Sequence, residues 1–325
     1  MELVLNTFGT SLQVEDGLFA VIHKDGKQTL EAQKVKSILI SKGARISSDA
    51  ALLAIANEID VLFVDRSGKP AGRVWSIKYG SVSTIRRKQL DFIYSPHAVK
   101  WIKEIIVKKI DNQIGLLLSM QPAEMRLTNI IERTINKLND YKTKIAMADA
   151  PFLSDIAPTL RGWEGASTRA YFAVLSDLLP DNYRFEMRSQ HPAKDTFNCL
   201  LNYGYGMLYG KVEGALIKAG IDPYAGVFHR DDYNRPALVY DVIELYRIWI
   251  DYVVYNLCTQ RVIDEDCYSV NEMGEFWLES MGKRILIQSV NDYLDEVVNI
   301  KGVQRSRQVH IDLQAQQLAQ KFLNS

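Results

Sequence analysis

Apolar positions change their period once along this chain, near residue 78. From Glu2 to about Ile77 they fall in short runs: LVLNTF, TSLQV, LFAVIH, QTLEA, SILIS, VLFVD and AGRVWSI. Between them stand Glu15-Asp16-Gly17, Lys24-Asp25-Gly26 and Ser67-Gly68-Lys69. Asp-Gly between alternating runs is a hairpin signal, because both residues tolerate the positive φ of a tight turn. One helix interrupts the strands, since Ser47 and Ser48 can cap DAALLAIANE.

After Lys78 the segment YGSVSTIRRKQLDFIY reads as a connector with three consecutive cations, Arg86, Arg87 and Lys88. Beyond Ser95-Pro96 apolar residues recur at three- and four-residue spacing, which predicts helices almost throughout. The clearest segments are AVKWIKEIIVKKIDNQIGLLLSM, EMRLTNIIERTINKLNDYKTKIAM, TLRGWEGASTRAYFAVLSDLL, TFNCLLNYGYGMLYGKVEGALIKAG and RPALVYDVIELYRIWIDYVVYNLCTQ. Gly220, followed by Pro223, stops the fourth. The expected fold class is α+β: a small, mainly-β domain over 1–78, a basic linker over 79–95, and a larger all-α helical domain over 96–325.

Composition adds bounds to this picture. A chain of 325 residues with a 47% hydrophobic fraction is long enough for two cores and too apolar for disorder. Lys plus Arg equals Asp plus Glu at 39 each, so contact with a polyanion requires a local basic face. Cys199, Cys258 and Cys267 show no metal spacing, which predicts free thiols and a reducing compartment. MELVLNTFGT lacks the basic and then apolar start of a signal peptide, and no apolar run is long enough for a bilayer. A soluble, cytoplasmic protein is expected, with no membrane partner.

Candidate chemistry lies in three separated pieces: Glu164 in RGWEGASTRAY, His229 closing DPYAGVFH, and Asp241 with Glu244 in LVYDVIELYR. Carboxylates plus one imidazole suit Mg²⁺ or Mn²⁺ with positions left open for phosphate and water, and the lack of sulfur argues against structural zinc. Each piece also has a plain structural reading. Asp241 and Glu244 sit three apart on a helix that is apolar nearly all round, where Arg247 alone can neutralise them. His229 can be an ordinary rim histidine, and Glu164 a first-turn acid that complements a helix dipole. Gly162 and Gly165 beside Glu164 admit close approach of another backbone or a substrate. Gly206, Gly210 and Gly214 at four-residue spacing read as close helix packing, and Asn198 and Asn202 as ligand-orienting or network residues.

Taken in order, RGWEGASTRAYF, NCLLNYGYGMLYGKVEGALIKAGIDPYAGVFH and PALVYDVIELYR resemble the CRISPR-associated spacer integrases, the Cas-one family. The matching positions are Arg161, Glu164, Gly165 and Tyr171; then Asn198, Leu201, Tyr205, Ala219, Gly220, Gly226 and His229; then Asp241, Glu244 and Arg247. Ile248 stands where many members have Pro, and RDDYN after His229 is more acidic than usual.

The resemblance implies a β domain ahead of a helical one, and a metal-dependent DNA endonuclease and integrase of CRISPR adaptation. In that reaction the 3′-hydroxyl of a spacer precursor attacks a phosphodiester at the repeat border. It implies that Glu164, His229 and Glu244 ligate Mg²⁺ or Mn²⁺, with Asp241 as a further ligand or an orienting group. The imidazole must be neutral to ligate, so activity is expected to fall as acid protonates it. It implies double-stranded DNA as partner, a homodimer paired through the β domain, and a small subunit, Cas-two, in a heterohexameric complex. Expected DNA contacts are Arg86, Arg87, Lys88, Arg230, Arg235, Arg247, Lys283 and Arg284, with Arg305 and Arg307 nearby. Two alternatives stay open: a general metal-dependent nuclease on branched or single-stranded DNA, and a non-catalytic DNA-binding assembly subunit.

Overall fold

The computed structural model describes residues 1–65, 70–74, 83–190, 192–229 and 235–325. The chain divides into two compact units, Met1–Ser81 and Val82–Ser325.

The first unit holds β1 (Glu2–Leu5), β2 (Ser11–Glu15), β3 (Leu18–His23), β4 (Gly26–Leu30), β5 (Ser37–Ser41), β6 (Arg45–Ile46), α1 (Ser48–Ala56), β7 (Asp60–Val64) and β8 (Pro70–Val74). They form two sheets, ordered β1-β5-β7-β8 and β4-β3-β2-β6. Strands β1, β5 and β7 run parallel, with β8 antiparallel at the edge. The β2/β3 hairpin turns through Asp16 and Gly17, whose φ values of 49° and 77° are what a two-residue primed turn requires. Ser47 caps α1 by accepting a hydrogen bond from the Ala50 N–H at 3.2 Å. Leu12, Phe19, Ile38, Ala50, Ala54 and Val61 are buried together as the core of this unit. The Ser67-Gly68-Lys69 turn lies outside the described residues.

The second unit is helical: α2 (Ser83–Ile93), α3 (Pro96–Ser119), α4 (Met125–Met147), α5 (Leu153–Asp177), α6 (Thr196–Lys218), α7 (Ala237–Ile243), α8 (Arg247–Thr259), α9 (Ser280–Asp295) and α10 (Arg307–Leu323). Helix α6 is buried on every side, from Phe197 and Leu201 to Leu208 and Leu216, which makes it the central element. Its Gly210 and Gly214 are buried. Gly204 packs tightly against α8, where a Cβ would stand 2.5 Å from Ile250 Cγ2.

The strand-then-helix order agrees with the change of period, and the structure corrects four details. The segment read as a connector is largely helix α2, whose Ile85, Gln89 and Phe92 are buried. The helix expected over 235–260 is broken after Ile243 and restarts at Arg247. The helical region also carries two small hairpins, β9 (Tyr268–Val270) with β10 (Phe276–Leu278) and β11 (Val297–Ile300) with β12 (Val303–Ser306). Helix α5 begins at Leu153, well ahead of Thr159 and in spite of Pro158, so Glu164 sits mid-helix and not in a first turn. All three cysteines are free and buried. Among the described residues no helix is long and apolar enough to cross a membrane.

Candidate active site

Helix α3 presents an apolar stripe of Ile102, Ile105, Ile106 and Ile110, and Lys109 falls within this buried face. A lysine there needs partners, because an isolated ammonium pays a large desolvation cost. Lys109 has two. Its Nζ pairs with Glu164 Oε1 from α5 and lies 2.6 Å from Glu244 Oε2 at the end of α7. Burial disfavours the ammonium, yet Glu244 and Glu164 together hold its pKa above the ordinary lysine value.

The helix break builds the other side. Glu244 caps α7 and Arg247 opens α8, so Arg247 Nε reaches back to donate to Glu244 Oε1 at 2.7 Å. Burial opposes ionisation of Glu244, but Arg247 and Lys109 outweigh it and bring its pKa down to about 2. Glu244 Oε2 is buried, and the Lys109 ammonium at 2.6 Å is the cation it faces. Glu164 Oε1 also accepts from Thr168 Oγ1, one turn on, at 3.2 Å. A Cβ built on Gly162 or Gly165 would meet nothing within 4 Å, so packing inside the protein does not require these glycines.

His229 is carried on a loop pinned from several directions. The Asp241 carboxylate, fully enclosed, accepts the backbone N–H of Val227 (2.7 Å), Phe228 (3.0 Å) and His229 (3.0 Å). Its Oδ1 also stands 2.7 Å from His229 Nδ1. That commits Nδ1 inward and leaves Nε2 as the nitrogen for an incoming ligand. Arg161 donates to the Phe228 carbonyl at 3.0 Å and covers the Phe228 ring at 5.1 Å. Gln89 of α2, buried completely, donates to the carbonyls of Asp222 (2.8 Å) and Ala225 (3.0 Å) and accepts the Asp222 N–H (3.0 Å). Gly226 is obligatory, since a Cβ there would lie 2.5 Å from Ala237 Cβ and 2.6 Å from the His229 carbonyl.

The predicted site residues therefore assemble as two neighbouring pairs. Glu164 and Glu244 share Lys109, while His229 and Asp241 hold each other. His229 is close enough to Glu244 to help depress its carboxyl. Among the described residues no three His, Cys, Asp or Glu side chains converge tightly enough to hold an ion. The reason is visible: Lys109 occupies the space between the two glutamates, and Asp241 is turned to the loop. The donor set still fits a hard divalent cation, because two acids from different helices already share one cation through their carboxylate oxygens.

From Arg247 the polar network runs inward. Its guanidinium lies over the Tyr205 ring at 4.6 Å. Tyr205 and Tyr171 both donate to Asp251, Tyr171 at 3.0 Å, and burial raises the Asp251 carboxyl to about 6 against these two hydrogen bonds. Arg188 covers Tyr205 at 5.7 Å and donates to Asn198 and Asn202, so those asparagines close a network.

Of the basic residues expected at DNA, Arg87, Arg235, Arg284 and Arg305 are exposed, and Arg86, Lys88 and Lys283 are half-buried. Lys88 lies 3.8 Å from Asp91. Arg247 is committed to Glu244 and Tyr205, and Arg307 to Glu296 (2.6 Å) and the Tyr293 ring. Arg230 lies outside the described residues. Lys109 and Gln89 are not among the residues the sequence singles out. Lys109 carried a signal, a charge on an apolar stripe, whereas Gln89 in a polar-looking segment carried none.

A sequence model of the family described as CRISPR associated protein Cas1 matches residues 3–292. The chain is 32% identical to the CRISPR-associated endonuclease Cas1 1 of Archaeoglobus fulgidus over 316 residues, 93% of this chain and 90% of that one. It is 28% identical over 262 residues to the CRISPR-associated endonuclease Cas1 1 of Thermodesulfovibrio yellowstonii, with 80% of each covered. Among solved structures, a Cas1 protein from Thermotoga maritima aligns with a TM-score of 0.83 at 20% identity, covering 100% of this chain and 98% of that one. A casposase bound to integration product aligns at 0.84 and 18% identity, covering 99% and 90%.

The fold is thus the one shared by Cas1 proteins and casposases. The chain belongs to the CRISPR-associated Cas1 family, the endonucleases and integrases of CRISPR adaptation.

Proposed function

We propose that this protein inserts spacer DNA into a CRISPR array by metal-assisted transesterification at the site formed by Glu164, His229 and Glu244. The observation that carries the reading is the sharing of one cation by Glu164 and Glu244, acids on different helices, beside an imidazole whose Nδ1 is fixed by Asp241.

Glu164, Glu244 and His229 Nε2 would hold the divalent ion. Bound Mg²⁺ or Mn²⁺ supplies Lewis acidity toward a phosphoryl oxygen and charge stabilisation for the leaving oxygen. Asp241, whose carboxylate accepts the loop N–H groups, is proposed to keep Nε2 presented, as an orienting group in preference to a ligand. Arg247 holds Glu244 ionised and aimed. The open face over Gly162 and Gly165 leaves room for a DNA backbone beside Glu164. The 3′-oxygen of the captured strand forms a new bond to phosphorus as the repeat-border oxygen departs as a 3′-hydroxyl. The number of phosphodiesters is conserved, so the step needs no nucleotide energy.

Exposed Arg87, Arg235 and Arg284 are proposed to track phosphates, with Arg86, Lys88, Lys283 and Arg230 contributing. Relatives of this fold occur in a Cas6-RT-Cas1–Cas2 complex, aligning at a TM-score of 0.82 and 22% identity over 100% of this chain and 35% of that one. This supports Cas2 as a partner here. A homodimer would pair through the first unit, whose outermost strands among the described residues are β1 and β8 of one sheet and β4 and β6 of the other. The buried free thiols support work in the cytoplasm.

Strand transfer with a labelled spacer duplex and a repeat target tests the proposal. Glu164→Ala and His229→Ala should both abolish metal-dependent joining with the fold retained; joining by both variants overturns it. Water at the same site would give hydrolysis, and the ratio of joined to cut product from one substrate separates an integrase from a general nuclease.

A further inference from the structure

Lys109 is the cation at the centre of the site, and nothing in the proposed chemistry uses it. It reaches Glu164 and Glu244 together from the buried face of α3, with its side chain only 10% exposed. The two glutamates, the ammonium and the Arg247 guanidinium sum to zero among themselves, while the Asp241 charge beside His229 is already taken up by three loop N–H groups. A divalent ion added with Lys109 in place would leave two surplus positive charges within a few ångströms. An ion that replaces the ammonium leaves only one, which a single phosphodiester anion neutralises.

We infer that Lys109 is a positioning residue that holds Glu164 and Glu244 in register by occupying the cation position between them, and that a divalent ion binds only by displacing its ammonium. The inference rests on the metal-site reading above. The geometry agrees with it: Glu164 Oε1 and Glu244 Oε2, from two different helices, both face the one ammonium, so the two oxygens already border a single cation position. The carboxylates stay preorganised in the absence of metal, at the cost of affinity for metal alone.

The test is Mn²⁺ binding to the full-length protein without DNA, followed by calorimetry and by the loss of free Mn²⁺ signal in electron paramagnetic resonance. Lys109→Met and Lys109→Gln should bind Mn²⁺ about tenfold more tightly or better, since the competing charge is gone. Lys109→Arg, which retains a cation, should stay near wild type. Glu164→Gln should lose most of the binding, which locates the ion at this site. Circular dichroism checks each variant for native helix content. Should Lys109→Met unfold, the Gln variant and the rise in Tm on Mn²⁺ addition carry the comparison. Equal or weaker Mn²⁺ binding by both neutral variants overturns the inference while leaving the metal site intact. No Mn²⁺ binding by any variant, wild type included, overturns the metal site and the inference with it.

Discussion

Asp241 Oδ1 stands 2.7 Å from His229 Nδ1, and the same carboxylate collects three consecutive backbone N–H groups of the loop that carries the histidine. One enclosed acid thereby fixes both the path of the chain and the face of the ring. The two acids of the DxxE segment consequently have different partners: Asp241 holds the loop and the imidazole, and Glu244 faces the Lys109 ammonium.

Removing that carboxylate should be costly. Asp241→Ala leaves the three N–H groups and Nδ1 without their partner, for an expected loss of about 3–5 kcal/mol in urea denaturation. Asp241→Asn keeps the shape and should fold, while metal affinity drops by about 10- to 100-fold through the misheld imidazole. Unchanged Mn²⁺ affinity in a folded Asp241→Asn protein would contradict the orienting role.

Gln89 acts on the same loop from α2, with three hydrogen bonds to Asp222 and Ala225 from a fully buried amide. Gln89→Ala is expected to cost about 2–3 kcal/mol and to speed amide exchange selectively over 222–229. Exchange that rises uniformly over the helical unit would show that Gln89 does not hold this loop in particular.

Two buried acids give opposite responses to pH. Asp251 titrates at about 6 in the fold against 3.8 in the free side chain, so between these values the native chain holds a proton that the unfolded chain releases. Stability from this group therefore rises as pH falls through 6. Glu244, at about 2 against 4.5, stabilises above 4.5 and loses its contribution as pH falls toward 2. The Tm of wild type minus that of Asp251→Asn should grow by about 3 °C or more between pH 7 and pH 4.5. A difference flat across that range would refute the assignment.

The exposed cations predict a different signature. Arg87→Ala with Arg284→Ala should weaken DNA binding whatever the sequence and flatten the slope of log affinity against log salt by about 1 to 2. Mn²⁺ binding without DNA should be unaffected. An unaltered salt slope would remove these two arginines from the DNA face.

How much of this was legible in the sequence differs from element to element. The change from period two to period three and four near residue 78 reflects backbone geometry, and Asp16-Gly17 turns as its positive φ values require. The break between α7 and α8 left no trace, because Val239, Val242, Ile243, Tyr246 and Ile250 keep helical spacing across it. The contact that coincides with the break is tertiary: Glu244 at the end of α7 faces Lys109 of the remote helix α3. Glu164, His229, Asp241 and Glu244 stood out through the family resemblance, and the structure sets them in two neighbouring pairs that residue order does not carry. Periodicity cannot say that Asp241 points at backbone N–H groups, or that a lysine from a remote helix stands between two glutamates. Lys109 was half legible, as a charge inside the Ile102–Ile110 stripe, and its partners belonged to two other helices.

Whether Glu164, His229 and Glu244 form one divalent-cation site is decided by anomalous diffraction from crystals soaked in Mn²⁺ with a short DNA duplex. One peak is expected between the Glu164 and Glu244 carboxylates and His229 Nε2, with Lys109 moved away and Asp241 still on the loop. No peak there, with Lys109 still bridging the two glutamates, would rule the site out.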